Sequence, residues 1–329
     1  MNVLVTGGAG FVGRHVVKKM SALGYDITVV DNLVSESAIH PNDWMPHLKP
    51  NKEITFIHQD ATKYFENCEE RFDIVVHLAA IVGGRLTIEY APLQVAEDLS
   101  LDARMYNWAV KTKPKKIVFF SSSAAYPIKY QTRKNYRALL ESDIDFDNDL
   151  IGKPDLSYGW AKLTGEYLAK LAYERNGLNT VCFRPFSGYG EDQHLNYPFP
   201  SILRRVSNYN GKDPIDVWST GEQVRDFIYI DDCVDGMLQI MDRVNDGSAV
   251  NLGSGNPTSF RDLIQVMGNV LHGADNIPIN PLLDKPEGVY YRLCDPSLMY
   301  SHGFKPSTTL EEGIQRCANI LKLGSKNYD

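Results

Sequence analysis

The sequence predicts an α/β fold with a doubly wound parallel sheet, and two patterns carry that expectation. Short apolar runs rich in β-branched and aromatic residues recur through residues 1–185, and stretches with helical periodicity separate most of them. Strands of this kind are buried on both faces, the condition of a parallel sheet covered by helices. In order, VLVT (3–6), DITVVD (26–31), ITFIHQD (54–60), IVVHLAA (74–80), KIVFFSSS (116–123) and NTVCFRP (179–185) read as strands, with helices over 12–23, 92–111 and 158–176. The rhythm breaks near residue 186, where Gly, Pro, Asn and aromatic residues crowd SGYGEDQHLNYPFP (187–200) and predict loops and short elements. Residues 1–185 are therefore expected to form the sheet domain and 186–329 a smaller C-terminal lobe. VRDFIYIDDCVDGMLQIM (224–241) reads as a strand and helix, so 224–250 is expected to rejoin the first domain.

Composition narrows the function classes. The 329 residues are 43% hydrophobic, enough for a large core. Lysines and arginines number 34 against 41 acids, and the net charge of −7 argues against nucleic acid or an anionic membrane as partner. The five cysteines (Cys68, Cys182, Cys233, Cys294, Cys317) are widely spaced and form no C-x-x-C, so neither a disulfide framework nor a zinc site is expected; no metal is. A strand pattern already opens at residue 2 and no apolar run approaches the ~18 residues of a membrane span, so a cytoplasmic protein is expected. The basic KTKPKK (111–116) reads as the solvated end of a helix.

TGGAGFVG (6–13) follows the first strand and opens the first helix. Gly7, Gly10 and Gly13 give the spacing that a dinucleotide needs: a tight turn, close approach of backbone to pyrophosphate, and free N–H groups at a helix N-terminus. Asp31 ends the next strand, 24 residues after Gly7, where a carboxylate can accept from ribose hydroxyls and would repel a 2′-phosphate. The fold is thus expected to be Rossmann-type and the cofactor NAD rather than NADP. SYGWAK (157–162) places Tyr158 four residues before Lys162 on a predicted helix, so the two side chains share a face with Cβ atoms roughly 5–6 Å apart.

These motifs, with Asp60 in HQDAT, HLAA (77–80), SSSAAYP (121–127), RP (184–185), VRDF (224–227) and KPEGV…R…D (285–295), occur in the order seen in extended short-chain dehydrogenase/reductases acting on nucleotide sugars. The chain resembles that family from residue 3 to about 313. The resemblance implies Tyr158 and Lys162 as a catalytic pair with Ser122, which lies four residues before Tyr126; Ser123 is the alternative. It implies cofactor contacts from Gly7, Gly10, Phe11, Val12, Gly13, Asp31, Asn32, Asp60, Ala61, Leu78, Ala79 and Ala80, besides Tyr158 and Lys162. It implies substrate contacts from Gly83, Gly84, Arg85, Ser123, Ser187, Arg225 and Arg292, the two late arginines because guanidinium binds phosphate bidentately. A homodimer through the helices at 92–111 and 158–176 is also implied.

Oxidising a sugar carbon requires a base for the hydroxyl proton. A tyrosine, with an ordinary pKa of about 10, serves when a nearby ammonium and the cationic nicotinamide favour its phenolate. Tyr158 is then the base, Lys162 its tuner and ribose ligand, and Ser122 the positioner of the sugar oxygen. Relatives that are 4,6-dehydratases follow this hydroxyl residue with Asp-Glu, whereas Ser123 and Ala124 stand here, which disfavours dehydration. AAIVGGRLTIEY (79–90) and PEGVYYRLCD (286–295) are similar to GDP-mannose 3,5-epimerase, yet Ala124 replaces that enzyme's cysteine and no lysine occurs in 191–203; His194 or Arg85 would have to substitute. A 4-epimerase needs only oxidation at C4 and return of hydride, and is favoured; a 4-dehydrogenase stopping at the ketone is the other alternative. GDP leads as the nucleotide, with UDP close behind. A non-catalytic dinucleotide sensor would be expected to lack Tyr158 or Lys162, and both are present. Two departures from the family pattern are Asp98 and Ser187, where asparagine is common.

Overall fold

A computed structural model describes residues 1–48, 52–81, 85–148 and 150–324. Seven parallel strands form the central sheet: β1 (Asn2–Thr6), β2 (Asp26–Asp31), β3 (Ile54–His58), β4 (Ile74–His77), β5 (Lys116–Phe120), β6 (Thr180–Pro185) and, far along the chain, β10 (Asp246–Leu252). Their order is β10-β6-β5-β4-β1-β2-β3, so the winding reverses between β1 and β4, and the crevice at the carboxyl ends of those two strands is where such sheets bind ligands.

Alternate side chains supply two cores, as the period of two requires. Val3, Val5, Val29, Val76, Val118 and Phe183 face α1 (Phe11–Ala22) and α6 (Ile230–Ile240). Leu4, Val30, Val75, Ile117 and Phe119 face α2 (Ala61–Asn67), α3 (Asp98–Thr112) and α4 (Leu156–Asn176). The helix expected over 92–111 is broken: Pro92–Val95 is one turn, and α3 starts afresh at Asp98. It ends at Lys113, whose φ of 55° is left-handed. KTKPKK is not wholly solvated, which corrects the sequence reading. Lys116 is buried in β5 and donates to the Asn245 side chain at 2.9 Å and to the Val244 carbonyl, and burial lowers its pKa to about 8.

The smaller lobe contains β7 (Ser187–Tyr189), α5 (Pro198–Ser207), β8 (Ile215–Trp218), β9 (Val224–Tyr229), β11 (Pro257–Ser259), α7 (Phe260–His272), β12 (Ile279–Leu282), β13 (Tyr291–Arg292) and α8 (Leu310–Gly324). β9 is its hub, pairing with β7, β11 and β13, while β8 pairs with β12. After β9 the chain turns into α6, which packs on α1, and β10 then closes the edge of the main sheet. A partly buried latch joins the loop after β7 to α1. Arg14 donates to Asp192 Oδ2 from Nη2 (2.8 Å) and Nε (3.0 Å), and His15 Nε2 meets Asp192 Oδ1 at 2.8 Å.

Candidate active site

The cofactor cradle is built by two close approaches. Gly7 has a φ of +70°, and a Cβ there would lie 2.6 Å from the Ala79 nitrogen; one at Gly13 would lie 2.3 Å from the Gly7 oxygen. Only glycine fits either position. Gly10 precedes α1 with no side-chain cap and no acid in the first turn, leaving N–H groups and the positive end of the helix dipole for an anion. Phe11 is buried and Val12 partly so. Leu78, Ala79 and Ala80 are partly exposed at the crevice floor, with Leu78 and Ala79 also packed against the two cores.

Asp31 is buried, and its oxygens accept from the Ala9 nitrogen (2.9 Å) and the Leu33 nitrogen (2.8 Å), so it holds the glycine loop as well as facing the ribose position. Asp60 caps α2, accepting from Thr62 and Lys63 nitrogens, and the amide of Asn32 reaches it at 3.4 Å; Ala61 is buried behind this cap. These residues fit a dinucleotide without rearrangement of backbone.

The second half of the site is assembled where α4 meets the turn after β5. Ser121 and Ser123 are buried, whereas Ser122 is partly exposed. Its Oγ accepts from the Ala124 nitrogen at 3.1 Å, leaving the hydroxyl proton to donate elsewhere. α4 seats directly on this turn: Asp155 N–H donates to the Ala124 carbonyl at 3.0 Å, and a Cβ at Gly159 would fall 2.4 Å from that same oxygen. Gly159 is therefore what lets Tyr158, in the first turn of α4, come down beside Ser122. Tyr158 is partly exposed and Lys162 is buried beneath it, the ammonium 5.8 Å from the Tyr158 ring centroid and 5.3 Å from that of Phe119.

Sequence reasoning missed what stands behind Lys162. Asp98 and Asp102 lie one turn apart on α3, both 1% exposed. Asp98 Oδ1 accepts from the Ile81 nitrogen at 2.6 Å, and Asp102 Oδ1 meets His77 Nε2 at 3.1 Å. His77 Nδ1 lies 2.8 Å from Thr6 Oγ1 at the start of the glycine loop. With Asp102 as acceptor, His77 donates from Nε2 and accepts the Thr6 hydroxyl at Nδ1. The Oδ2 atoms of both aspartates have no hydrogen-bond partner among the described residues. Burial would lower the Lys162 pKa, but Asp102, Tyr158 and Asp98 together raise it above the ordinary lysine value. Burial raises the Asp98 carboxyl to about 6, Lys162 opposing. The available signal was the spacing itself: two aspartates at i and i+4 on a helix whose neighbours are apolar.

The lobe brings its two arginines together. Arg225 on β9 and Arg292 on β13 are paired in register. Arg292 donates from Nε to Gln131 (2.7 Å) and from Nη2 to Asp155 (3.1 Å), next to the start of α4, while Arg225 lies 5.6 Å above the Phe260 ring. Ser187 sits on β7 opposite Phe227. Gly83 and Gly84 lie outside the described residues; Arg85 opens the short helix Arg85–Tyr90. His194 accepts from the Asn196 nitrogen at 3.3 Å. Tyr197, which the sequence did not single out, precedes α5; burial, with the charges of Tyr158 and Glu36, pushes its hydroxyl up to about 12. Among the described residues no group of three His, Cys, Asp or Glu side chains is placed to hold a metal ion.

A doubly wound sheet with a glycine cradle and a Ser/Tyr/Lys site at its switch point defines a dinucleotide-dependent enzyme. The chain belongs to the NAD dependent epimerase/dehydratase family, whose model matches residues 3–253, and NAD is its cofactor. It is 28% identical to a putative UDP-glucose 4-epimerase of Methanocaldococcus jannaschii over 98% of this chain and 99% of that protein. It is 24% identical to GDP-L-fucose synthase 1 of Arabidopsis thaliana, covering 95% and 91%. The structure superposes on that of UDP-glucose 4-epimerase from Thermotoga maritima with UDP-glucose at a TM-score of 0.83, with 25% identity and coverage of 99% and 100%.

Proposed function

We propose that this protein is a nucleotide-sugar 4-epimerase that oxidises the hexose at C4 to a transient ketone and returns the hydride to the opposite face. The observation that carries the reading is the seating of α4 on the Ser122 turn, which places a partly exposed Tyr158 above a buried, charged Lys162 while Ala124 offers no second acid or base. NAD supplies hydride acceptance and return. In this reading Gly7, Gly10 and Gly13 admit its pyrophosphate, Asp31 and Asn32 face the adenosine ribose, Asp60 and Ala61 the adenine, and Lys162 the nicotinamide ribose. Tyr158 takes the C4 hydroxyl proton and gives it back, and Ser122 holds the same oxygen as charge develops. Arg225 and Arg292, side by side on two strands, suit a diphosphate, with Ser187 nearby.

The putative UDP-glucose 4-epimerase relative and the UDP-glucose of the Thermotoga maritima structure support a UDP-sugar, and the GDP-L-fucose synthase relative supports a GDP-sugar, so both stand in the panel below. The exposed Trp160 and Tyr167 on α4 and Leu99 on α3 support a homodimer through these helices, which sedimentation at several concentrations tests. All five cysteines are free, in keeping with a reducing, cytoplasmic setting.

The test is incubation with NAD and a panel of UDP- and GDP-sugars in deuterated water, followed by NMR of the recovered sugar nucleotide. Inversion at C4 without deuterium is expected. Deuterium at C3 or C5 would establish enolisation and sink the 4-epimerase reading. Tyr158→Phe is expected to reduce turnover by about 10²–10⁴-fold while NAD affinity holds.

A further inference from the structure

Two carboxylates, one ammonium and the His77 ring share the buried space behind the Tyr158 phenol, and of the two carboxylates only Asp102 is bonded to His77. Asp102 is engaged by His77 Nε2 at 3.1 Å. Asp98 receives one backbone N–H from Ile81, and both Oδ2 atoms lack a hydrogen-bond partner among the described residues. Gly165, on the same helix as Lys162, keeps the space open: a Cβ there would lie 2.9 Å from Asp102 Oδ2 and 2.2 Å from the Phe119 ring. A buried carboxylate with an unsatisfied oxygen costs stability unless it carries a proton or is paired. Asp98 therefore stands between two states that differ by one charge, close to the lysine that serves the phenol. It adjoins Ile81, and through it the crevice floor at Ala79 and Ala80 where the cofactor lies, so it belongs to the site without touching the sugar.

We propose that Asp98 is a positioning residue that sets how much of the Lys162 charge reaches Tyr158. Ionised, it takes up part of the ammonium's field; neutral, it releases that field to the phenol. The groups facing it are Lys162 from α4, His77 from β4 and Asp102 from α3; those facing Tyr158 are Lys162 and Tyr197. The inference rests on Tyr158 and Lys162 being the proton-handling pair, and it gives Asp98 a role that an asparagine there could not switch. The rise of the Asp98 carboxyl to about 6 agrees with the geometry.

The test needs no sugar. Tyrosinate is titrated by ultraviolet difference absorbance in the full-length protein, with and without Tyr158→Phe, so that the difference isolates Tyr158. The same pair is measured in Asp98→Asn, which keeps an oxygen for the Ile81 N–H. With Asp98 neutral the Tyr158 midpoint is expected to fall by about one pH unit, as removal of one nearby negative charge requires. Asp102→Asn, whose carboxylate also raises the Lys162 ammonium, is expected to move it in the same direction. Coincident wild-type and Asp98→Asn midpoints would overturn the assignment. A shifted midpoint in a protein that epimerises no sugar would leave this inference standing and remove the proposed activity.

Discussion

Two charge clusters, one partly exposed and one buried, sit on either side of the glycine loop, and they resolve the same problem in opposite ways. In the latch, Arg14 and His15 meet Asp192 and Asp231, two cations for two carboxylates, each held by direct hydrogen bonds. Burial opposes charge on His15, yet the bonds to Asp192 and Asp231 raise it to about 9; burial likewise opposes Asp192, and His15 and Arg14 hold it down at about 2. Behind Tyr158, Lys162 faces Asp98 and Asp102, His77 bonds only Asp102, burial prevails at Asp98, and its proton stays on to about pH 6. Matched charge with complete hydrogen bonding makes a joint between lobes. Unmatched charge leaves a proton in play beside the proposed reaction centre.

Breaking the latch is expected to have the largest effect on stability. Asp192→Ala strips Arg14, only 4% exposed, of its carboxylate and leaves it the Ala9 and Ser37 carbonyls. The expected loss is about 2–3 kcal/mol, below the range for a fully enclosed pair because Asp192 itself is 36% exposed. Denaturant unfolding reads it directly, and a loss below about 0.5 kcal/mol would show that the latch holds nothing. Alkaline pH tests the same joint without mutation. Because the His15 pKa is raised from 6.5 to about 9, its contribution is complete below pH 6.5 and disappears as pH climbs through about 9. About 3 kcal/mol is at stake, by linkage, and His15→Gln should unfold with a flatter pH dependence across that window.

The contrast also explains what the sequence could and could not reveal. The glycine spacing, Asp31 and the Tyr158–Lys162 pair are local: each motif and its partner lie within one strand–turn–helix unit or one helical turn, and the fold places them where their spacing implied. The strand-and-helix pattern of 224–241 suggests that 224–250 rejoins the first domain; in the fold Ile230–Ile240 packs on α1 and Asp246–Leu252 joins the sheet edge, while Val224–Tyr229 is the hub of the smaller lobe. The clusters are different, because their members come from distant segments. His15 meets Asp192 across 177 residues, and His77 meets Asp102 across 25 from a different layer. An aspartate on a helix reads as a solvated face until the packing of a second helix shows otherwise. Lys116 was misread for the same reason: five neighbours in a basic run concealed that its side chain turns inward to Val244 and Asn245.

The Asp98 proton sharpens the comparison most. Since the folded-state pKa of Asp98 is raised from 3.8 to about 6, the protonated carboxyl favours the folded chain fully below pH 3.8, and that contribution is lost as pH rises through about 6. The sign is opposite to that of an ordinary salt-bridged aspartate, whose contribution grows as pH rises toward 3.8 and is complete above it. Linkage puts the loss on the order of 3 kcal/mol, reduced in practice by any relaxation around Lys162. Asp98→Asn cannot titrate, so the stability difference between wild type and variant should shift in the variant's favour from pH 4 to pH 7. Measured by urea unfolding at fixed temperature without added NAD, this slope isolates the Asp98 proton from catalysis, and from His15, whose window opens only at higher pH. A difference that stays constant across the interval would mean that Asp98 is ionised throughout, and the two clusters would then be alike.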